Sequence, residues 1–320
     1  MPTSRPPLPS TLLRCLNLAQ GQHPQGRAHV SAASGLVQLG HRLYVVGDDE
    51  LHLGVFDDAR HTAAPTPHPV PGTLLRLLDG HLPSKAKARK AAKPDLETLA
   101  LLPPVPGCPA GALLALGSGS KPQRQTGVLV ALDAHGQPNG RMATVDLAPL
   151  YAPLRQRFAD LNIEGALVVS GELLLLHRGN RGQADSACIR LDWNHAAPWL
   201  AGSRSEAPAP KSVQTLALGM IDGVPLALTD GTPLQGGAWA FCAVAEASDN
   251  SYDDGHCLAS AIGIVAPDGQ LQQLRLLQGA PKVEGIAAQA LDSGWCFTLV
   301  TDPDDPATPA QLLQVHGALG

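Results

Sequence analysis

Five short phrases carry the groups that could do chemistry: Ser34-Gly35-Leu36, Glu97-Thr98-Leu99-Ala100, Glu164-Gly165-Ala166-Leu167, Thr229-Asp230-Gly231 and Glu284-Gly285-Ile286-Ala287. Each opens on a hydroxyl or a carboxylate. Three glutamates brought to one narrow place would raise each other's pKa, and burying them unpaired costs several kcal/mol. A hard cation resolves that conflict, and oxygen donors of this kind suit Ca²⁺ or Mg²⁺ rather than zinc. A five-membered donor ring suits the higher coordination number of Ca²⁺. The expected metal set is therefore Ser34, Glu97, Glu164, Thr229 and Glu284, with Asp230 as an alternative to Thr229. The competing reading is a purely structural polar ring bonded to backbone groups and water.

The spacing says how these residues would meet. Steps between the phrases are 63, 67, 65 and 55 residues, with 33 residues before Ser34 and 36 after Glu284. The two ends together make one further repeat length, as in a ring that closes on itself. Within each repeat the chain reads as short apolar strands punctuated by turns, for example Val30 to Leu39, Arg42 to Gly47, Leu51 to Phe56 and Thr73 to Leu78. Asp222-Gly223 and Asp268-Gly269 are hairpin turn pairs. The 33 Gly and 29 Pro fall as turn punctuation, and helix signals are poor. Four antiparallel strands per repeat predict an all-β, five-bladed β-propeller. The fifth repeat lacks a fourth strand at its C-terminal end, and Thr11 to Leu18 supplies it, closing the last blade with the N-terminal strand. Residues 1–10 are expected as a flexible tail and 11–320 as a single propeller domain. A six-blade count would need Val213 to Ala217 as another opening phrase, which would leave repeat three without a fourth strand.

In an up-and-down blade the start of strand one and the end of strand two share a face. The strand-two ends are Asp48-Asp49, Ser118 to Lys121, His177 to Asn180, Glu246 and Asp302. They are expected to rim the channel mouth above the metal set. His177 reads as an acid/base and Arg178 as an anion clamp, the pair proposed as catalytic; the bland alternative is a solvated strand end. Lys121, Glu246 and Asp302 complete a substrate-binding rim. The basic run Lys85, Lys87, Arg89, Lys90 and Lys93 reads as a solvated loop on the same face, placed to attract an anion.

Ser34-Gly35-Leu36 with the following strand through Asp49, then Glu97, Glu164, the Thr229 hydroxyl and Lys282-Val283-Glu284-Gly285-Ile286, resemble the calcium-dependent apyrases. Those are five-bladed propellers holding a central Ca²⁺ with blade-opening Ser and Glu residues, and they hydrolyse nucleoside diphosphates. Phytase-like and lactonase-like propellers also place Glu-Gly phrases at blade starts. The closest resemblance is to an uncharacterised bacterial propeller family related to these, through Lys282 to Ile286, Ala245-Glu246 and Asp253-Asp254-Gly255. The rim lacks the aromatic and basic nucleotide contacts of apyrases, with aromatics at 3% of the chain.

Signatures of other chemistries are mostly missing, although Lys121 could still meet an anion at the mouth. Gly117 to Lys121 fails the phosphate-loop spacing, and there is no H-E-x-x-H, G-x-S-x-G or dinucleotide fingerprint. A net charge of −5 argues against nucleic-acid and anionic-membrane partners. The six cysteines, Cys15, Cys108, Cys188, Cys242, Cys257 and Cys296, match no zinc spacing and read as reduced core thiols. The Pro-rich start carries no apolar signal core, so the expected address is the cytoplasm. Two functions stand: a calcium-dependent hydrolase of a small anionic substrate (phosphoester, phosphoanhydride or lactone), and a noncatalytic ligand- or protein-binding propeller with a structural ion.

Overall fold

In the computed structural model, residues 6–58, 69–180, 185–247, 255–292 and 294–317 are described. The N-terminal strand β1 (Thr11–Cys15) precedes blade one, β2 (Ala33–Leu39), β3 (Arg42–Gly47), β4 (His52–Asp57) and β5 (Thr73–Arg76). Helix α1 (Ala86–Ala92) leads into blade two: β6 (Leu96–Leu102), β7 (Ala112–Gly117), β8 (Thr126–Leu132) and β9 (Pro138–Asp146). Helix α2 (Ala148–Arg157) leads into blade three, β10 (Ile163–Val169), β11 (Glu172–His177), β12 (Ser186–Asp192) and, after α3 (Trp193–Leu200), β13 (Ser212–Leu216). Blade four has five strands: β14 (Met220–Ile221), β15 (Val224–Pro233), β16 (Trp239–Glu246), β17 (Cys257–Val265) and β18 (Leu271–Leu276). Blade five is β19 (Val283–Leu291), β20 (Gly294–Thr301) and β21 (Gln311–Gly317), completed by β1. Every sheet is an antiparallel meander, and β1 pairs with β21 from Thr11↔Gln314 to Cys15↔Gln311. The five-bladed propeller and its N-terminal closure are as expected, and Ser212–Leu216 is the outer strand of blade three rather than a sixth opening phrase.

Alternation along the strands explains why they read as continuous apolar runs. On β7, Leu114 and Leu116 face blade three while Leu113 and Ala115 face blade one, so both sheet faces are buried between neighbours. The core is thus a set of inter-blade layers. The inner strands β2, β6, β10, β15 and β19 pack against one another in sequence, and β19 returns to β2. Gly35 and Gly285 permit this approach: a Cβ on Gly35 would run into the backbone of Leu99, and one on Gly285 would sit 3.0 Å from the Leu36 nitrogen.

The helices were not expected. Helix α2 buries Leu150, Tyr151 and Leu154 beside blades two and three, and the Tyr151 hydroxyl donates to Gly117 O at 2.8 Å. Asp192 caps α3 by accepting the Asn194 N–H at 2.9 Å. The tail over residues 1–10 is in part docked rather than free. Leu8 is buried and bridges Leu277, its N–H donating to Leu276 O at 2.8 Å; residues 1–5 lie outside the described residues. Among the described residues no helix is long and apolar enough to cross a membrane.

Candidate functional site

Every blade carries a register shift in its inner strand, at the strand's opening in blades one, two, three and five and inside β15 in blade four, and the shifted residue is the one that opens its phrase. The breaks fall between Ala33 and Gly35, Leu96 and Thr98, Ile163 and Gly165, Leu228 and Asp230, and Val283 and Gly285. Ser34, Glu97, Glu164, Thr229 and Glu284 therefore occupy equivalent bulges. A bulge leaves one residue outside the ladder and re-aims its side chain. The strand-two partners at these points are the strand ends Gly47, Gly117, His177 and Thr301 in blades one, two, three and five, so there the two residue sets share one face; in blade four the bulge faces Ala243 and Cys242, inside β16.

What neutralises the glutamates differs from expectation. Arg178 Nη1 lies 2.7 Å from Glu164 Oε2 and 3.5 Å from Glu284 Oε1, while its Nη2 pairs with Glu246. Asn162 Nδ2 donates to the other Glu164 oxygen at 2.6 Å. Lys282 Nζ stands 3.6 Å from Glu246, 3.9 Å from Glu284 and 3.9 Å from Asp302, and it pairs with Asp304. The cation between Glu164 and Glu284 is thus the protein's own guanidinium. Burial alone would lower the Arg178 pKa, but the glutamates around it hold it well above its usual value. Glu164 and Glu284 are both pushed up by burial against the pull of Arg178. Glu246 ends below its usual range: Arg178, Lys282 and the Gly255 N–H together outweigh its burial. Burial carries Asp302 up to about 8 despite Lys282.

A second acidic group lies at blades one and two. Asp48, Asp95 and Glu97 each offer a carboxylate oxygen, all within 4.8 Å of one another. Lys93 Nζ is 2.8 Å from Asp95 Oδ1 and also pairs with Asp48. Arg124 Nη1 and the Ser118 hydroxyl donate to Asp95 Oδ2 at 2.7 and 2.5 Å. Glu97 is half-buried, and burial, then Asp95, Asp48 and Glu164, drive its pKa well above the carboxylate range. The basic run is accordingly no free loop. Its centre is α1, where Arg89 lies 3.2 Å from Asp49, and Lys93 at the C-cap is buried.

Other expectations need correction. Thr229 is buried and its hydroxyl donates to Val283 O at 2.9 Å, so it serves the blade four–five seam. Asp230 beside it accepts the N–H groups of Gly231 at 2.7 Å and Ile286 at 3.0 Å, and is raised strongly by burial. His177 and Arg178 are not brought together, since Arg178 turns to the glutamates and His177 to Phe158. Adjacent residues of an extended strand point to opposite sides. His177 stacks on Phe158 with centroids 4.1 Å apart, receives the Asn162 N–H at 3.2 Å, and burial lowers its pKa to about 4. Lys121 is exposed at the start of the turn Pro122–Arg124, and the cation that this segment sends to the carboxylates is Arg124. Ser34 is buried on its bulge. Glu246 and Asp302 are placed as partners of Arg178 and Lys282.

The residues missed by sequence reasoning had a signal. Asp95, Asn162 and Lys282 each stand two positions before a blade-opening glutamate, in Asp95-Leu96-Glu97, Asn162-Ile163-Glu164 and Lys282-Val283-Glu284. Asn162 donates to Glu164, Lys282 stands 3.9 Å from Glu284, and Asp95 brings an oxygen within 4.8 Å of Glu97, so a polar neighbour was encoded beside each glutamate.

Fold and site together define a five-bladed β-propeller with a densely charged channel mouth. The chain belongs to a family of unknown function, DUF6929, whose model matches residues 29–316. Among curated proteins none matches. Similar solved structures include the PQQ-bound aldose sugar dehydrogenase of Streptomyces coelicolor, 13% identical over 96% of this chain and 98% of that one, with a TM-score of 0.48. An exo-β-1,3-galactanase of Clostridium thermocellum is 10% identical over 97% of this chain and 63% of its own, with a TM-score of 0.48. The WD40 propeller domain of Doa1 is 9% identical over 95% and 96%, with a TM-score of 0.38. None of these likenesses speaks to this chain's chemistry.

Proposed function

We propose that this protein is a calcium-binding β-propeller that holds its ion at Asp48, Asp95 and Glu97 and receives a small anionic molecule there for hydrolysis. The carrying observation is the carboxylate triad: its oxygens lie within 4.8 Å of one another, a spacing that one cation with Ca–O distances of about 2.3–2.6 Å can span. Of the three blade-opening glutamates Glu97 is the one that Arg178 leaves free of an ion pair, since Arg178 engages Glu164 and Glu284. With Arg178 and Lys282 already paired, the ion itself would polarise the phosphoester, phosphoanhydride or lactone and activate water. This reading carries the resemblance to calcium-dependent apyrases and phytase-like propellers, with the ion shifted from the ring axis toward blades one and two.

A second reading, a noncatalytic ligand- or protein-binding propeller with a structural ion, is favoured by one observation. The nominated acid/base His177 is buried under Phe158, and the nominated clamp Arg178 is saturated by glutamates. A panel of phosphate esters, nucleotides and lactones, assayed with and without Ca²⁺, separates the two. Calcium-dependent turnover lost in Asp95→Asn supports hydrolysis; calcium binding without turnover on any of them supports the second reading.

A further inference from the structure

The triad's cation position is already taken by a side chain. Lys93 is 7% exposed, and its ammonium contacts two of the three carboxylates. Two positive charges, Lys93 and Arg124, serve three acids there, both through Asp95, and no ion pair joins Glu97 to a described residue, so one acid is left over. A divalent ion matches the group better than an ammonium does.

Lys93 is also held in a way that lets it leave. It is the C-cap of α1, and none of the seven residues of that helix is buried. The helix is held by polar contacts: Arg89 to Asp49, Gln123 Nε2 to Ala91 O at 3.1 Å, and Arg124 Nη2 to Lys90 O at 3.1 Å. Withdrawing the Lys93 side chain therefore disturbs no apolar core. Beside it lies a cavity of about 170 Å³, lined by Lys93, Arg89, Asp49, Asp304 and Asp305 among others, which has room and carboxylates outside the triad for the displaced ammonium.

We propose that Lys93 is a tethered cation that occupies the acidic site until a divalent ion displaces it, and that it thereby sets the site's affinity. This rests on the calcium-site reading. If the ammonium fills the site nine-tenths of the time or more, its removal tightens apparent affinity by about tenfold or more.

The test is calorimetric titration with Ca²⁺ of wild type, Lys93→Met, Asp95→Asn and, as a surface control, Lys211→Met, with thermal melts of each. Lys93→Met is expected to bind Ca²⁺ at least about tenfold tighter than wild type, to melt lower without Ca²⁺, and to recover most of that loss with it. Lys211→Met should bind as wild type does. Equal or weaker binding by Lys93→Met, alongside wild-type binding that Asp95→Asn abolishes, overturns the tether and leaves the calcium site standing. Failure of wild type and Lys93→Met alike to bind Ca²⁺ overturns both. If Lys93→Met does not fold, Lys93→Gln decides by the same criteria.

Discussion

Replacing Arg178 with Met removes the guanidinium that faces Glu164, Glu246 and Glu284 and leaves a side chain of similar length. Breaking a buried ion pair from one side costs about 3–5 kcal/mol, because the remaining charge is stranded. The structure places the effect at the lower end, about 3 kcal/mol. Lys282 still stands 3.6 Å from Glu246 and 3.9 Å from Glu284, so the stranded charge is chiefly Glu164, whose other oxygen keeps Asn162. The loss should depend on pH. Glu164 and Glu284 already have folded pKa values raised above the unfolded carboxylate, and losing Arg178 raises them further. Such groups contribute stability that is present below the unfolded pKa and lost as pH rises through the folded value. The deficit of Arg178→Met is therefore largest at neutral pH and narrows as pH falls toward about 4.5. Urea unfolding at pH 7 and pH 5.5 measures it, and adding Glu164→Gln to Arg178→Met should restore about 1 kcal/mol or more at pH 7. A change within about 0.5 kcal/mol of wild type at both pH values would refute the claim that Arg178 neutralises the glutamates.

Three further outcomes follow from the same geometry. Asp302, raised to about 8, binds a proton in the folded state that the unfolded chain releases near pH 4, so its stability contribution falls as pH rises through about 8. His177, lowered to about 4, opposes that slope below about pH 6.5. Between pH 6.5 and 8, Asp302→Asn should remove up to about 1.4 kcal/mol per pH unit of slope in urea titrations; an unchanged slope counts against the assignment. Deleting residues 1–20 removes β1 from β21 and exposes the edge of blade five, so the melting temperature should drop by several degrees, and an equal melt would sink the closure. Gly35→Ala places a Cβ against the Leu99 backbone and should cost about 2 kcal/mol or more by denaturation, whereas a neutral result would show that the inner strands are not packed as described.

The ring was legible because it is repetitive. The five phrases mark five equivalent bulges, and the strands lie where apolar runs and turn pairs put them. Helices α2 and α3 were obscured by their own prolines, Pro149, Pro153 and Pro198, which read as turn punctuation. The site was legible in position but not in wiring. Arg178 reaches Glu246 across 68 residues of chain, a pairing that no local spacing announces. His177 was misplaced by ignoring alternation, which sends neighbours on a strand to opposite sides. Lys93 was hidden in a basic run that opens on the exposed Lys85 and Lys87. Asp95 stands two residues before Glu97, but at a left-handed φ of 59° just outside β6, a conformation that strand alternation does not announce.

The central claim is that Asp48, Asp95 and Glu97 hold a divalent cation. Its most direct measurement is calorimetric titration of metal-stripped protein with Ca²⁺, comparing wild type, Asp95→Asn, Glu97→Gln and the outer-strand control Gln214→Ala. Gln214 lies on β13, where its amide donates to Gly269 O at 2.7 Å, away from the mouth. The account predicts one ion per chain in wild type and in Gln214→Ala, with binding lost or weakened at least about tenfold in Asp95→Asn and Glu97→Gln. Absence of binding in wild type, or binding that both carboxylate variants leave intact, would contradict it.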